Sequence, residues 1–426
     1  MIEIGAAWLA VCVAAGLTPA IGQETGSSTN VAAKGADLEL LRAVRDIAAQ
    51  VEQARHQTFE RPPIAVRAPD AMREVAADIR ALNVIPRERL AARGRAWRDI
   101  GIGDGAGPEA LYKMLASDLS GIGFDPSGNR LLVSPGILSE WDFSPDASDD
   151  EATRLLLATG VRPHEPPVVH ALMHVRQRER RGGDWLAETT DGTLAAAALA
   201  EGEANLVALR HLFAGMGLAD SVVTPRLDPA DPVGGTLVPP HHPQGGVLGV
   251  LARFVYGEGF AVCAEIYQRG GWEALDRALA AVAATRDVMH PDFVGPAPAE
   301  LPEEPAPGEG WRLADTDRVG EHVVFALISV ATGKDNLGLM AGDGWVGDRL
   351  DRWETDAGDG LTVWRTRWRT AEDAADFVYA YRRAVEALRP AGGWSSEDRS
   401  HFRDTERTLT LLLEGTHVRI QWAAAG

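Results

Sequence analysis

The segment spanning residues 190–215 constrains the fold most strongly, because it is long, apolar and rich in alanine and leucine. It predicts a helix that other elements can approach closely, since residues 196–198 are all alanine. The same helix carries Glu201 and Glu203, and carboxylates in such an apolar setting cost desolvation energy unless a positive or donating group meets them. The pattern therefore predicts either a buried partner for these glutamates or a helix face open to solvent.

A second segment, residues 168–181, predicts a helix that is entered through two prolines and carries two histidines. His170 and His174 are four residues apart, so on a helix both side chains lie on one face and can reach a single ion. A metal site needs a third ligand from another helix, and Glu201 is the candidate. Because the chain has 11 histidines, one pair at this spacing is weak evidence by itself. The alternative interpretation is that the two histidines are unrelated neighbours, one of them buried in the core, and that the glutamate faces solvent.

Several motifs, taken in order along the chain, resemble zincin metallopeptidases of the gluzincin type, which carry a His-Glu-x-x-His helix and a glutamate ligand on a following helix. More narrowly, the chain is similar to a group of secreted bacterial and archaeal zinc peptidases. The matching motifs are Gly-Phe-Asp-Pro at 123–126 with Gly128 and Arg130-Leu131, the run His170-x-x-x-His174-x-x-Gln177, Glu201-Gly202-Glu203-Ala204, Tyr-Gln-Arg-Gly-Gly-Trp at 267–272, His290-Pro291, Gly-Trp-Val-Gly-Asp-Arg at 344–349 and Val-Trp-Arg-Thr at 363–366. Ordered matches of this kind are more specific than the histidine pair alone.

The resemblance implies a zincin-like metallopeptidase domain of the α+β class, with a mainly helical metal-binding half and a small C-terminal α+β unit. It implies that Zn²⁺ is held by His170, His174 and Glu201, since the resemblance selects the first of the two glutamates as the third ligand. Gln177 and Glu203 would then support the ligands, with Glu203 orienting a histidine.

The chain departs from the family's pattern directly after the first histidine, where the family has its catalytic glutamate and this chain has Ala171. A methyl group can neither take nor deliver a proton, and loss of a general base typically costs about 10²–10⁴-fold in rate. No catalytic residue is therefore assigned, and Glu203 and His290 remain candidates only, His290 as a donor to a developing oxyanion. Glu165 and Glu258 are further carboxylates that could replace the base, but a solvent-exposed carboxylate is the simpler interpretation of each.

Three functions are compatible with these residues. The favoured one is an exported zincin-fold protein that binds zinc, is catalytically impaired, and acts by binding a peptide or protein in the former active-site cleft. The first alternative is an active zinc-dependent peptidase or hydrolase with a different general base. The second alternative is a structural or interaction protein that has also lost the metal.

Composition divides the chain into five segments: residues 1–22 as a signal peptide or N-terminal anchor, 23–36 as a linker, 37–294 as the zincin-like domain, 295–310 as a Pro/Glu-rich linker and 311–426 as the C-terminal α+β unit. Further helices are predicted at 38–57, 70–82, 247–269, 272–284 and 371–388, and strands at 63–68, 129–134, 321–330, 361–368, 408–413 and 417–422.

The charge and the N-terminal segment bear on partners and location. The net charge of −19 repels phosphate backbones, so nucleic acid is not an expected partner. Residues 4–21 are nearly all apolar and are followed by small residues, which favours an exported protein that is periplasmic, secreted or N-terminally anchored. Glu3 stands where signal peptides usually carry a basic residue. A membrane is therefore an expected partner only if this segment stays uncleaved.

Two further groups of residues allow more than one interpretation. Arginines follow the second histidine at 176, 178, 180 and 181, and a cationic helix C-terminus is favoured over a clamp for a substrate carboxylate. Trp364, Trp368 and Trp422 fall on predicted strands, and core packing is favoured over a surface that stacks a ligand.

Overall fold

A computed structural model describes residues 30–103, 107–117, 122–126, 128–134, 165–215, 245–292, 296–388, 401–403 and 407–424. Within these residues the protein is mixed α+β, with a mainly helical first part and a C-terminal antiparallel sheet that is covered by helices. The predicted α+β class is therefore confirmed. The predicted signal segment at residues 1–22 lies outside the described residues.

The first part begins with a helix, a small sheet and three short helices. Its elements are α1 Asn30–Arg55, β1 Ile64–Arg67, α2 Asp70–Val84, α3 Arg87–Ile100, α4 Gly107–Ala116, β2 Ile122–Asp125 and β3 Arg130–Val133. β3 lies in the middle of the sheet, parallel to β1 and antiparallel to β2. α1 begins at Asn30, so residues 30–36, part of the predicted linker over 23–36, are helical.

The helical core of the first part follows. It consists of α5 Glu165–Arg181, α6 Thr190–Gly215, α7 Gly246–Arg253, a π-helical turn Phe254–Glu258, α8 Gly259–Ala281 and α9 Thr285–Met289. α6 is buried along most of its length, because it packs against α1, α5, α8 and the π turn at once. This central position explains why the helix is apolar on all faces.

α6 and α8 approach each other unusually closely. A Cβ atom placed on Gly202 would lie 2.5 Å from the carbonyl carbon of Gly259 and 2.7 Å from Cys263 Sγ. Glycine is therefore required at the crossing, directly between Glu201 and Glu203. The stretch Gly246–Ala281 is also the one helical stretch, among the described residues, with the length and apolar character to cross a membrane. Most of it is buried inside the protein, so this is weak evidence for a membrane span.

The C-terminal part is built on a six-stranded antiparallel sheet in the order β4-β5-β6-β9-β8-β7. Its elements are β4 Trp311–Asp317, α10 Glu321–Thr332, α11 Asp335–Gly342, β5 Trp345–Thr355, β6 Gly360–Trp368, α12 Ala371–Leu388, β7 His401–Arg403, β8 Arg407–Glu414 and β9 His417–Ala424. Trp364, Trp368 and Trp422 are buried, which confirms the prediction that they pack in the core.

One predicted strand is a helix. Residues 321–330 form most of α10, which is buried against α7, α11 and α12. A short, continuous apolar run is compatible with a buried strand and with a buried helix, so its periodicity does not distinguish these two structures. The helix ends at Gly333, which adopts the left-handed backbone conformation that stops helices.

The two parts share one hydrophobic core and an ionic contact. The largest buried apolar cluster contains residues from both sides of the Pro-rich segment. Arg93 of α3 is fully buried, and its Nε lies 2.8 Å from Asp315 Oδ2 and its Nη1 3.3 Å from Asp317 Oδ1. Asp317 also accepts hydrogen bonds from the backbone N–H and the hydroxyl of Thr190, at the start of α6. The C-terminal sheet therefore anchors the helix that carries the two glutamates.

Candidate metal centre

His170, His174 and Glu201 converge in the core, as the sequence predicted. Among the described residues they form a group whose potential ligand atoms all lie within 4.8 Å of one another. The two imidazole Nε2 atoms are 2.9 Å apart, Glu201 Oε2 is 3.2 Å from His170 Nε2, and Glu201 Oε1 is 3.4 Å from His174 Nε2. The side chains are 8%, 3% and 3% exposed, in chain order. This buried group could bind a metal ion.

The packing of α5 against α6 produces this convergence. The two helices run antiparallel, since His170 contacts Asn205 of α6, while Gln177, further along α5, contacts the earlier residue Ala200. The four-residue spacing then stacks both imidazoles over Glu201. Trp185, in the connection between the helices, packs on the ring of His174 with 4.6 Å between centroids.

Gln177 determines which nitrogen of His174 carries the proton. Its Nε2 donates to the carbonyl oxygen of Ala200 at 2.7 Å and to Glu203 Oε2 at 2.8 Å. Its Oε1 therefore faces His174 Nδ1, 2.8 Å away, and can only accept a hydrogen bond. His174 must donate from Nδ1, so in the neutral ring Nε2 presents a lone pair to the centre of the group.

His170 has a parallel arrangement, with Nδ1 3.0 Å from Asn205 Oδ1. Two imidazole nitrogens and a carboxylate thus point at one spot, where their lone pairs repel each other unless a cation or protons lie between them. Burial opposes ionisation of Glu201, and where no cation is bound, protons on the imidazoles of His174 and His170 hold its pKa well below the usual value. Glu201 Oε2 is buried and makes no hydrogen bond. An unsatisfied buried carboxylate oxygen beside two imidazoles fits a divalent cation, and two nitrogens with one oxygen are typical zinc ligands.

Glu203 is also buried, but it faces a different set of partners. Its Oε1 lies 2.5 Å from Arg55 Nη2, and its Oε2 lies 3.0 Å from Arg180 Nη2 and accepts a hydrogen bond from Gln177. It lies beside the candidate ligands and accepts from the amide that contacts His174. The same contacts leave Glu203 poorly placed to act as a base. Arg180 lies in the last turn of α5, as the favoured interpretation of the arginine run expects, and it also pairs with Asp276.

The other candidate catalytic residues do not join the group. His290 Nε2 lies 2.7 Å from Glu321 Oε1, and this carboxylate raises the pKa of the half-buried imidazole. His290 directly follows α9, and α9 contacts α6 at Asp191, near the start of α6. Glu201 lies ten residues further along α6, about 15 Å from Asp191. Glu165 pairs with His211 at 3.2 Å, and Glu258 ends the π turn, where desolvation raises the pKa of its carboxyl to about 7.

Ala171 is buried with the apolar residues that pack beneath α5. No described carboxylate other than the ligand Glu201 is placed within the group of potential ligand atoms. The sequence-based reasoning missed Arg55, Asn205 and Trp185. Asn205 follows Glu201 by four residues and was detectable as a neighbour on the same helix face. Arg55 lies 148 residues from Glu203, and no local pattern could connect the two.

Comparison with known proteins gives one match. Residues 311–425, which span β4 to β9, match a family described as a domain of unknown function, DUF8575. No curated protein and no solved structure matches the chain. The matched region does not include His170, His174 or Glu201, so the interpretation of that group depends on its own geometry and chemistry.

Proposed function

We propose that this chain is an exported, zincin-like protein that binds zinc through His170, His174 and Glu201 and has lost most or all peptidase activity. The observation that carries the proposal is the convergence of two imidazole nitrogens on a buried carboxylate whose Oε2 makes no hydrogen bond. In this proposal the protein acts by binding a peptide or protein in the former active-site cleft.

The choice of zinc is supported by the ligand types and by the resemblance to gluzincins. Two neutral imidazoles and one carboxylate form a ligand set that zinc uses in hydrolases. When bound, zinc acts as a Lewis acid that polarises a carbonyl oxygen. The chain's own residues supply the remaining functions: Gln177 and Asn205 orient the imidazoles, and the surrounding burial limits the access of bulk water.

Impaired turnover is supported by Ala171 at the general-base position. The alternative, an active hydrolase with a different base, requires a carboxylate or imidazole near the group. The candidates are otherwise engaged: Glu203 is held by Arg55 and Arg180, and His290 pairs with Glu321. Glu258 has a pKa raised to about 7, but it is not part of the His170, His174 and Glu201 group, so a loss of about 10²–10⁴-fold in rate is the expected consequence of the alanine.

Replacing Ala171 with glutamate tests the proposal, with Ala171→Gln as the matched control. Both side chains have nearly the same volume and impose the same packing cost, but only glutamate can act as a base. We expect zinc-loaded Ala171→Glu to hydrolyse unstructured peptides about 10²–10⁴-fold faster than zinc-loaded Ala171→Gln. The rates are compared at equal zinc content and equal folded fraction.

Other results would contradict parts of the proposal. Substantial hydrolysis by the unmodified chain, lost in His174→Ala, would favour an active enzyme with a different base. A stability that neither chelation nor His174→Ala alters would favour a metal-free interaction protein. No gain of hydrolysis in a folded, zinc-loaded Ala171→Glu variant would argue against an inherited peptidase cleft.

A further inference from the structure

We propose that Arg55, on the N-terminal helix α1, is a positioning residue for the metal centre, acting on His174 through Glu203 and Gln177. This inference rests on the proposed function, because it concerns how a metal ligand is held. The path is continuous: Arg55 Nη2 lies 2.5 Å from Glu203 Oε1, Glu203 Oε2 accepts from Gln177 Nε2 at 2.8 Å, and Gln177 Oε1 lies 2.8 Å from His174 Nδ1.

The orientation of the Gln177 amide is the critical link in this path. A glutamine amide can turn by 180°, which exchanges its oxygen and nitrogen. A turned amide would present N–H to His174 Nδ1, so that Nδ1 would have to accept and the proton would move to Nε2. Nε2 would then have no lone pair for a metal ion. The carboxylate of Glu203, together with the carbonyl oxygen of Ala200, holds the amide in the orientation that leaves Nε2 free.

Two arginines, on two different helices, form ion pairs with Glu203. Arg55 reaches it from α1 and Arg180 from α5, and both arginines also pair with Asp276 of α8. Four helices therefore meet at this set of charges. Two guanidinium partners fix the orientation of the carboxylate, so that its Oε2 stays in place to accept from the Gln177 amide.

The burial of Arg55 suggests that it serves more than stability. Its side chain is 1% exposed, and its Nε and Nη1 make no hydrogen bond. A buried cation with unsatisfied donors is costly, and buried ion pairs are often replaceable by apolar residues without loss of stability. Positioning of a metal ligand is a role that an apolar residue could not fill.

A motif in α8 explains how Arg55 is supported. α8 bends at Gly270 and Gly271, and Gly271 has a positive φ of 64°. The bend brings Trp272 under Arg55, whose guanidinium carbon lies 4.3 Å from the ring centroid. The aromatic face stabilises this buried cation. The Tyr-Gln-Arg-Gly-Gly-Trp motif therefore contributes to the support of the metal centre.

A double-mutant cycle with Arg55→Met and Gln177→Leu tests the inference through zinc affinity, measured by competition with a chelator on the full chain. Loss of residues that orient metal ligands typically lowers affinity about 10–100-fold. We expect Gln177→Leu to lower zinc affinity by a factor in that range. Arg55→Met should lower it by a factor of about 10, because Ala200 still holds the Gln177 amide and Arg180 still holds Glu203. In the Gln177→Leu background, Arg55→Met should change the zinc affinity less than about 2-fold, because leucine already removes the hydrogen bonds that connect Glu203 to His174.

The matched control is Arg93→Met, which removes another fully buried, ion-paired arginine whose carboxylate partners, Asp315 and Asp317, are not part of the path to His174. It should lower stability while leaving zinc affinity per folded molecule unchanged. If Arg55→Met fails to fold, Arg55→Gln carries the same cycle, since a neutral amide removes the cation whose Nη2 contacts both Glu203 and Asp276. If the Arg55 variant lowered zinc affinity equally in the wild-type and Gln177→Leu backgrounds, this inference would be overturned, while the proposed function would stand. A wild-type chain that binds no zinc would overturn the proposed function as well.

Discussion

Gly202→Ala offers a sharp test of how the core places the two glutamates. The added Cβ would lie 2.5 Å from the carbonyl carbon of Gly259, whereas ordinary van der Waals contact begins at 3.4 Å. α6 and α8 would therefore have to separate by roughly 1 Å at their crossing. Because the obstructing atoms belong to the backbone, a side-chain rotation cannot relieve the contact.

The magnitude follows from two opposing effects. Overpacking of this kind costs about 3 kcal/mol, at the upper end of the usual range. Alanine has a higher helix propensity than glycine, which offsets about 1 kcal/mol. We expect a net loss of about 2 kcal/mol in the free energy of unfolding, measured by urea denaturation of the metal-free chain. Zinc affinity should fall too, because Glu201 is the adjacent residue.

Gly183→Ala is the control for this substitution. A Cβ on Gly183 would meet no atom within 4 Å, so its effect should stay within about 0.5 kcal/mol. If Gly202→Ala were as stable as the wild type and bound zinc equally well, the close crossing of α6 and α8 would be refuted as the reason for glycine at this position.

Three further predictions concern acid stability, the interface of the two parts, and the metal. Burial lowers the pKa of His322 to about 3, so the unfolded chain binds the extra proton first and stability falls as the pH drops below about 6.5. His322→Phe should therefore lose about 2 kcal/mol less than the wild type between pH 7 and pH 5, as measured by denaturation at each pH. Arg93→Met leaves Asp315 and Asp317 without their main partner and should cost about 3–5 kcal/mol in urea denaturation. Zinc at about 1,000 times its dissociation constant should stabilise the wild type by about 4 kcal/mol in thermal or urea unfolding and leave His174→Ala unchanged.

The ligand group was predictable because its signal is local. The spacing of His170 and His174 is a property of one helix, and the Glu201 segment is a property of the next. Burial of two glutamates in an apolar helix also required a partner on physical grounds. The boundaries of α6 were predicted correctly for the same reason, since a long periodic segment leaves little choice.

The supporting residues were not predictable, because their partners are distant in sequence. Arg55 meets Glu203 only after α1 has packed against the core, and Arg180 meets it only after α5 has packed against α6. The strand predicted at residues 321–330 failed for a related reason. Whether an apolar run becomes a strand or a helix depended there on the neighbours α7 and α12, which the run itself does not specify.

The most direct test of the central claim is the metal content of the purified chain by elemental mass spectrometry, beside a His170→Ala control. The account predicts about one zinc per wild-type chain and a loss of that zinc in the control, because three converging ligands become two. No zinc in wild-type protein produced with added metal would contradict the account. Equal zinc in both proteins would show that the metal binds elsewhere.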